Sequence, residues 1–376
     1  MKSAFDSPGN NLDCLRLVFA VTVIFSHSYA IGIGMQTETY GAASQFTEPM
    51  LLWSHGQTTF GIIAVDAFFI ISGFLIANSF LRSRSLLVYF RKRVARIYPG
   101  FVVCMLILAL AVVPIAGGIF ANQSLSGRVA DFIGRAAILW NINVGNSFAR
   151  NPLPNVIDGS VWTIPWEFVC YIGLAAAGAA GLLHRRLFVL LTFSLMILYF
   201  LVSGAIAWIG IPPGTHWVHF FDTHIYVQLR GLPVCFVAGT AFYLYRERIP
   251  HSNIWAIVAV LVLAASCFVP YTWALCFPLA GTYLIFWFAF HPGVNIHHFA
   301  RYGDFSYGTY LYAFVVQQLI VQALGHTVRP VALFLFATPP SIIMGILSWY
   351  GVERWFLGAH RRRGMDAPIL RVAQVN

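Results

Sequence analysis

Long apolar stretches, each bounded by short polar or charged ones, divide this chain from end to end. The pattern predicts ten hydrophobic helices, at 12–34, 59–80, 97–120, 160–182, 187–209, 229–245, 253–269, 272–290, 304–324 and 331–351. A run of about 20 apolar residues is what one helical crossing of a bilayer requires. The runs are too long for the strands of a transmembrane barrel. The expected fold is therefore all-α, a polytopic membrane helix bundle. Residues 121–159 form the longest interruption. Within them SLSGRVADFIGRAAILWNINV repeats its apolar residues at helical spacing and reads as an interfacial or re-entrant helix.

Composition supports the same class. The 376 residues are 59% hydrophobic and 10% charged, with a mean hydropathy of +0.74, where soluble domains carry about 25% charged residues. The start, MKSAFDSPGNN, lacks the pattern of a cleaved signal peptide, so the first segment is expected to stay as a helix. The six cysteines are scattered in or beside apolar segments without a C-x-x-C and read as buried apolar residues.

The net charge of +10 follows from topology. With both termini cytoplasmic, 18 of the 23 basic residues fall inside and five (Arg128, Arg135, Arg150, Arg230 and Arg329) outside. That is the positive-inside asymmetry. It assigns the charge to orientation and lipid contact, not to nucleic acid.

Against this apolar ground, ionisable residues inside the helices stand out, because burying them in hydrocarbon is costly. Arg16 and His27 lie on the first segment, eleven positions apart. Eleven residues is close to three turns, so both lie on nearly one face, roughly 16 Å apart along the axis. His27, Asp66 on the second segment and Glu167 on the fourth fall at similar depth toward the outer side. Asp66 is read either as a polar contact between helices or as the group that orients His27. Glu167 suits a helix N-terminus electrostatically, and the flanking Trp162 and Trp166 make a site attractive there. Gly73 shares a face with Asp66 and suits close helix approach. Arg93 and Arg96 in FRKRVARIYP share a helix surface. They read as a positive-inside anchor or as a phosphate clamp. Arg230 could pair with a carboxylate or hold an anionic substrate group. His216, His219, Asp222 and His224 lie in one outer loop, but their spacing fits no structural zinc pattern, and no metal is expected.

Seven segments in order resemble the acyltransferase-3 family of integral membrane acyltransferases. They are LDCLRLVFAVTVIFSH, VDAFFIISGFLI, FRKRVARIYP, VWTIPWEF, RGLPVCFVAG, YGDFSYGTYLYAF and SWYGVERWF. The family includes bacterial O-antigen, exopolysaccharide and Nod-factor acetylases. The resemblance departs at Ala313 and Phe314, where many members carry a histidine; this argues against a catalytic residue on the ninth segment. A single transmembrane domain over 1–376 is expected, without the C-terminal hydrolase-like domain fused to some members.

The resemblance implies transfer of an acyl group, commonly acetyl, from cytoplasmic acetyl-CoA or another acyl-CoA to a hydroxyl of a cell-surface or exported glycan. The implied setting is the bacterial inner membrane. On that expectation Arg16, Arg93 and Arg96 bind the donor's anionic head, and His27, with Asp66 and Glu167, carries catalysis. Arg230, Trp162 and Trp166 then face a glycan or lipid-linked sugar acceptor. A secondary transporter, or a non-catalytic membrane partner in glycan export, is the alternative. A homo-oligomer is compatible with the sequence.

Overall fold

In the computed structural model the described residues are 11–34, 47–122, 124–184, 186–208, 224–270, 272–294, 296 and 302–357. The chain is mostly helical. The principal helices are α1 (Leu12–Ile33), α2 (Phe60–Leu81), α3 (Leu86–Ile107), α4 (Leu125–Ala137), α5 (Ile164–Ala179), α6 (Arg186–Trp208), α7 (His224–Tyr245), α8 (Asn253–Ser266), α9 (Thr282–Ala289), α10 (Ser306–Ala323) and α11 (Pro330–Ser348). A helix lies at each of the ten predicted segments. Five stretches among the described residues are long and apolar enough to cross a membrane: Leu12–Ile33, Phe60–Leu81, Leu86–Ile115, Val161–Ala179 and Pro330–Leu357.

Local chemistry sets the helix starts. Thr59 Oγ1 accepts from Ile62 N at 3.1 Å, Ser85 Oγ from Val88 N at 3.2 Å, and Ser124 Oγ from Gly127 N at 3.1 Å. Each satisfies a donor that the first helical turn leaves orphaned. The third helix begins at Leu86, eleven residues before the predicted edge. Ser85 starts it inside the basic segment, and Pro99 lies within it without ending it. Its basic residues Arg91, Lys92, Arg93 and Arg96 are therefore helical. The long interruption holds α4, an amphipathic helix with no buried residue. It also holds an antiparallel pair of two-residue strands, Ile119–Phe120 with Val144–Gly145.

Helix α7 packs closely along α2. A β-carbon on Gly73 would lie 1.9 Å from the Phe236 carbonyl oxygen, and one on Gly239 would lie 1.9 Å from that of Ile70. Glycine is what lets these two backbones meet, as in other membrane helix pairs. Helix α10 is the most enclosed element, with Tyr307, Tyr310, Phe314, Gln317 and Gln318 all buried. It touches α1, α3 and α11, and it organises the site.

Candidate active site

One face of α10 carries Tyr310, Phe314 and Gln317, at i, i+4 and i+7. His27 of α1 packs edge-on against Phe314, with centroids 5.2 Å apart and planes at 81°. Gln317 Nε2 donates to the Ile24 carbonyl at 2.8 Å and to Ser28 Oγ at 2.7 Å, bracketing His27 on α1. The loop Asp158–Gly159–Ser160 also packs against the Phe314 ring. A β-carbon on Gly159 would fall 2.4 Å from Phe314 Cε2. Tyr310 Oη donates to the Ser160 carbonyl at 2.6 Å and lies 2.8 Å from Thr163 Oγ1. The loop and helix are thus locked together around one aromatic ring.

Four buried polar atoms around that ring have no partner among the described residues: His27 Nδ1, Asp158 Oδ2, Ser160 Oγ and Gln317 Oε1. Leaving one such group unpaired costs about 1–3 kcal/mol. Native cores leave few, and each calls for an explanation such as a catalytic role. Together they make a polar cluster inside an apolar bundle. Asp158 Oδ1 accepts from Ser160 N at 2.8 Å. Burial nevertheless pushes the Asp158 carboxyl up to about 7. Glu48, in the segment before α2, is similarly raised to about 7 by burial, although it accepts from Phe60 N at 2.7 Å.

The two carboxylates expected beside His27 have other partners. Glu167 Oε1 accepts from Ser72 Oγ at 2.6 Å and from Tyr171 Oη at 2.5 Å. Asp66 takes a hydrogen bond from the Cys235 thiol of α7. Neither reaches His27 Nδ1. Similar depth along separate helices did not translate into contact, because each carboxylate found a hydroxyl or thiol on its own side of the helix packing. Trp162 and Trp166 are partly buried against the main core. The side chains of Arg230 and His224, and residues His216, His219 and Asp222, lie outside the described residues.

At the far end of α1 the basic residues divide. Arg16 and Arg96 both bond Asp304 Oδ2, and Arg96 Nη1 also lies 3.3 Å from Glu353 Oε2. Asp304 lies two residues before α10 begins. Glu353 sits on the π turn Trp349–Glu353 that follows α11, where Ser348 Oγ also donates to it at 2.8 Å. Two of the three expected phosphate ligands thus already hold carboxylates. Arg93 does not. Its Nη2 donates to Ser79 Oγ at 3.3 Å, its guanidinium lies 5.8 Å from the Tyr171 ring and 6.0 Å from that of Tyr89, and its Nε is buried without a partner. Arg84 Nη1 nearby in sequence is also buried and unpartnered.

Sequence reasoning missed Asp158, Asp304, Glu353 and Gln317. An acid directly before a helix at the arginine-rich end, as in YGDFSYG, was the available sign for Asp304. Asp158, in NVIDGSVW, lies in an interruption between apolar segments, where a lone acid gives no sign of burial.

The acyltransferase-domain profile of the acyltransferase-3 family matches residues 10–350, and the chain belongs to that family. It is an acyltransferase of the kind that moves groups other than aminoacyl groups, and a membrane protein. It is similar to an O-acetyl transferase of Shigella phage Sf6, 29% identical over 352 residues that cover 93% of this chain and 96% of that one. Nodulation protein 10 of Rhizobium leguminosarum bv. viciae is 33% identical over 175 residues, 44% of this chain and 43% of that one. The acyltransferase MdmB of Streptomyces mycarofaciens is 31% identical over 119 residues, 31% and 28% of the two chains. No solved structure matches. Among the described residues no cluster of three or more His, Cys, Asp or Glu could hold a metal.

Proposed function

We propose that this protein moves an acetyl group from cytoplasmic acetyl-CoA to a hydroxyl of an exported or cell-surface glycan, as a ten-span protein of a bacterial inner membrane with both termini inside. The observation that carries the reading is the orphaned Nδ1 of His27 in a cluster of unpaired polar atoms, within a chain of acyltransferase family.

Arg93, with Arg84, is the group free to take a phosphate of the donor, since its guanidinium faces no carboxylate among the described residues. Arginine forks suit phosphate oxygens. Arg16 and Arg96, held by Asp304 and Glu353, fix the basic end of α1 and α3 beside it. The thin arm of the donor then runs along α1, where roughly 16 Å separates Arg16 from His27. At His27 the imidazole takes the proton of the acceptor hydroxyl as its oxygen attacks the thioester carbonyl. The carbon–sulfur bond breaks, the sulfur leaves and recovers a proton, and the products are the acetyl ester and the free thiol. Neutral imidazole suits this work at physiological pH. Asp158, in the loop that packs against Phe314, is a second group that can hold or release a proton near neutrality. Asp66 and Glu167 tie α2 to α7 and α5 through Cys235 and Ser72. Trp162, Trp166 and Arg230 line the acceptor's approach.

Membranes carrying the protein, supplied with labelled acetyl-CoA, should place label on glycan, and His27→Ala membranes should not. Equal labelling by both would overturn the reading.

A further inference from the structure

At the end of α10 opposite Asp304, a second cavity of about 420 Å³ opens, which the chemistry at His27 does not use. Its polar side chains are Asn146, Arg150, Asn151, Gln322 and His326, and no acidic side chain among the described residues lines it. Arg150 is exposed and makes no ion pair among the described residues. Gln322 Oε1 is buried and unpartnered while its Nε2 donates to the Ile115 carbonyl at 3.0 Å. The walls are built at some cost. Asn146, Phe148 and His326 all have φ between 53° and 73°. That left-handed region is unfavourable for a bulky residue such as Phe148, and such strain collects at functional sites.

The cavity is linked by hydrogen bonds to the neighbourhood of His27. His326 Nδ1 lies 3.1 Å from Asn151 Oδ1. Asn151 Nδ2 in turn donates to Gln318 Oε1 at 2.8 Å, and Gln318 is the neighbour of Gln317 on α10. Gln322 lies eight residues beyond Phe314, about 12 Å along the helix. That is further than one sugar ring bound at His27 can reach.

We propose that this cavity holds a sugar unit bearing a carboxylate, in the same glycan as the hydroxyl acylated at His27 but at least one unit removed from it. The proposal rests on the acyl-transfer reading above and adds that the acceptor is an acidic oligosaccharide or polymer. The amides of Asn146 and Gln322 supply donors and acceptors for ring hydroxyls. Arg150 supplies the planar fork that a single carboxylate matches.

The test is binding of two probes to the purified full-length protein in detergent, tetragalacturonate and neutral maltotetraose, by titration calorimetry. The expected result is at least tenfold tighter binding of tetragalacturonate, a preference that Arg150→Gln erases and His27→Ala retains. Arg150→Gln should bind coenzyme A as the parent does, which shows that it is folded. Equal affinity of the parent for both probes, or an unchanged preference in Arg150→Gln, overturns the proposal. Neither readout involves acyl transfer, so loss of glycan labelling in His27→Ala bears separately on the function.

Discussion

Gly159 and Phe314 meet so closely that a β-carbon on the first would lie 2.4 Å from Cε2 and 2.6 Å from Cζ of the second. The same ring packs edge-on against the His27 imidazole. Any side chain at 159 therefore disturbs the ring on which the histidine packs. Overpacking a tight interior costs about 1–3 kcal/mol. Gly159→Ala should lower thermal stability by that amount and reduce acyl transfer more strongly than Gly117→Ala, where a β-carbon meets nothing within 4 Å. Adding Phe314→Leu, which removes the ring, should restore part of the stability. Transfer rates and melting curves on matched membrane preparations check this, and an unperturbed Gly159→Ala would contradict the packing described.

The arginines separate into two roles. Arg96 bridges Asp304 and Glu353 with side-chain exposures of 16%, 14% and 1%. Removing one partner of such a buried network typically costs about 3–5 kcal/mol. Arg93 has no carboxylate partner among the described residues. A hydrogen bond to a charged group is worth about 1.5–3 kcal/mol, which corresponds to roughly 10–100-fold in affinity. Arg96→Ala should therefore melt earlier than Arg93→Ala, while Arg93→Ala should lose more coenzyme A affinity. Calorimetric binding and thermal unfolding of the two variants decide it. The reverse order would return Arg96 to the donor site.

Asp158 and Glu48 give a stability that depends on pH. In the unfolded chain a carboxyl titrates near 4, whereas both are raised to about 7 by burial in the fold. Between these values the folded chain holds protons that the unfolded chain has released, so stability declines as pH rises. The melting temperature should fall between about pH 4 and pH 7, and the fall should be shallower in Asp158→Asn. A melting temperature that rises across this range in the parent and is unchanged in slope by Asp158→Asn would show that the carboxyl is not buried as described.

The helices were legible because each core segment is a continuous apolar run, and that signal survives without knowledge of neighbours. The close approach of α2 at Gly73 was legible for the same reason, since a small residue on an apolar face has few other uses. The start of α3 was not, because its first turns carry Arg91, Lys92, Arg93 and Arg96 and so lack the apolar pattern. The pairing of charges was invisible along the chain. Arg16 meets Asp304 across 288 positions, and Arg96 meets Glu353 across 257. Similar depth on separate helices suggested that Asp66 and Glu167 meet His27, but depth alone does not say which way each side chain turns, and both acids pair elsewhere. Phe314, noted in the sequence as a departure from the family pattern, is the ring on which His27 packs.

The central claim is that the His27 imidazole takes a proton during acyl transfer. His27→Gln keeps a hydrogen-bonding amide of similar reach but cannot accept a proton at neutral pH. General-base catalysis is worth roughly 10²–10⁴-fold in rate. Glycan acetylation by His27→Gln membranes, measured with labelled acetyl-CoA at protein levels matched to the parent, should fall by that factor while coenzyme A binding persists. Near-parental acetylation by His27→Gln would contradict the account.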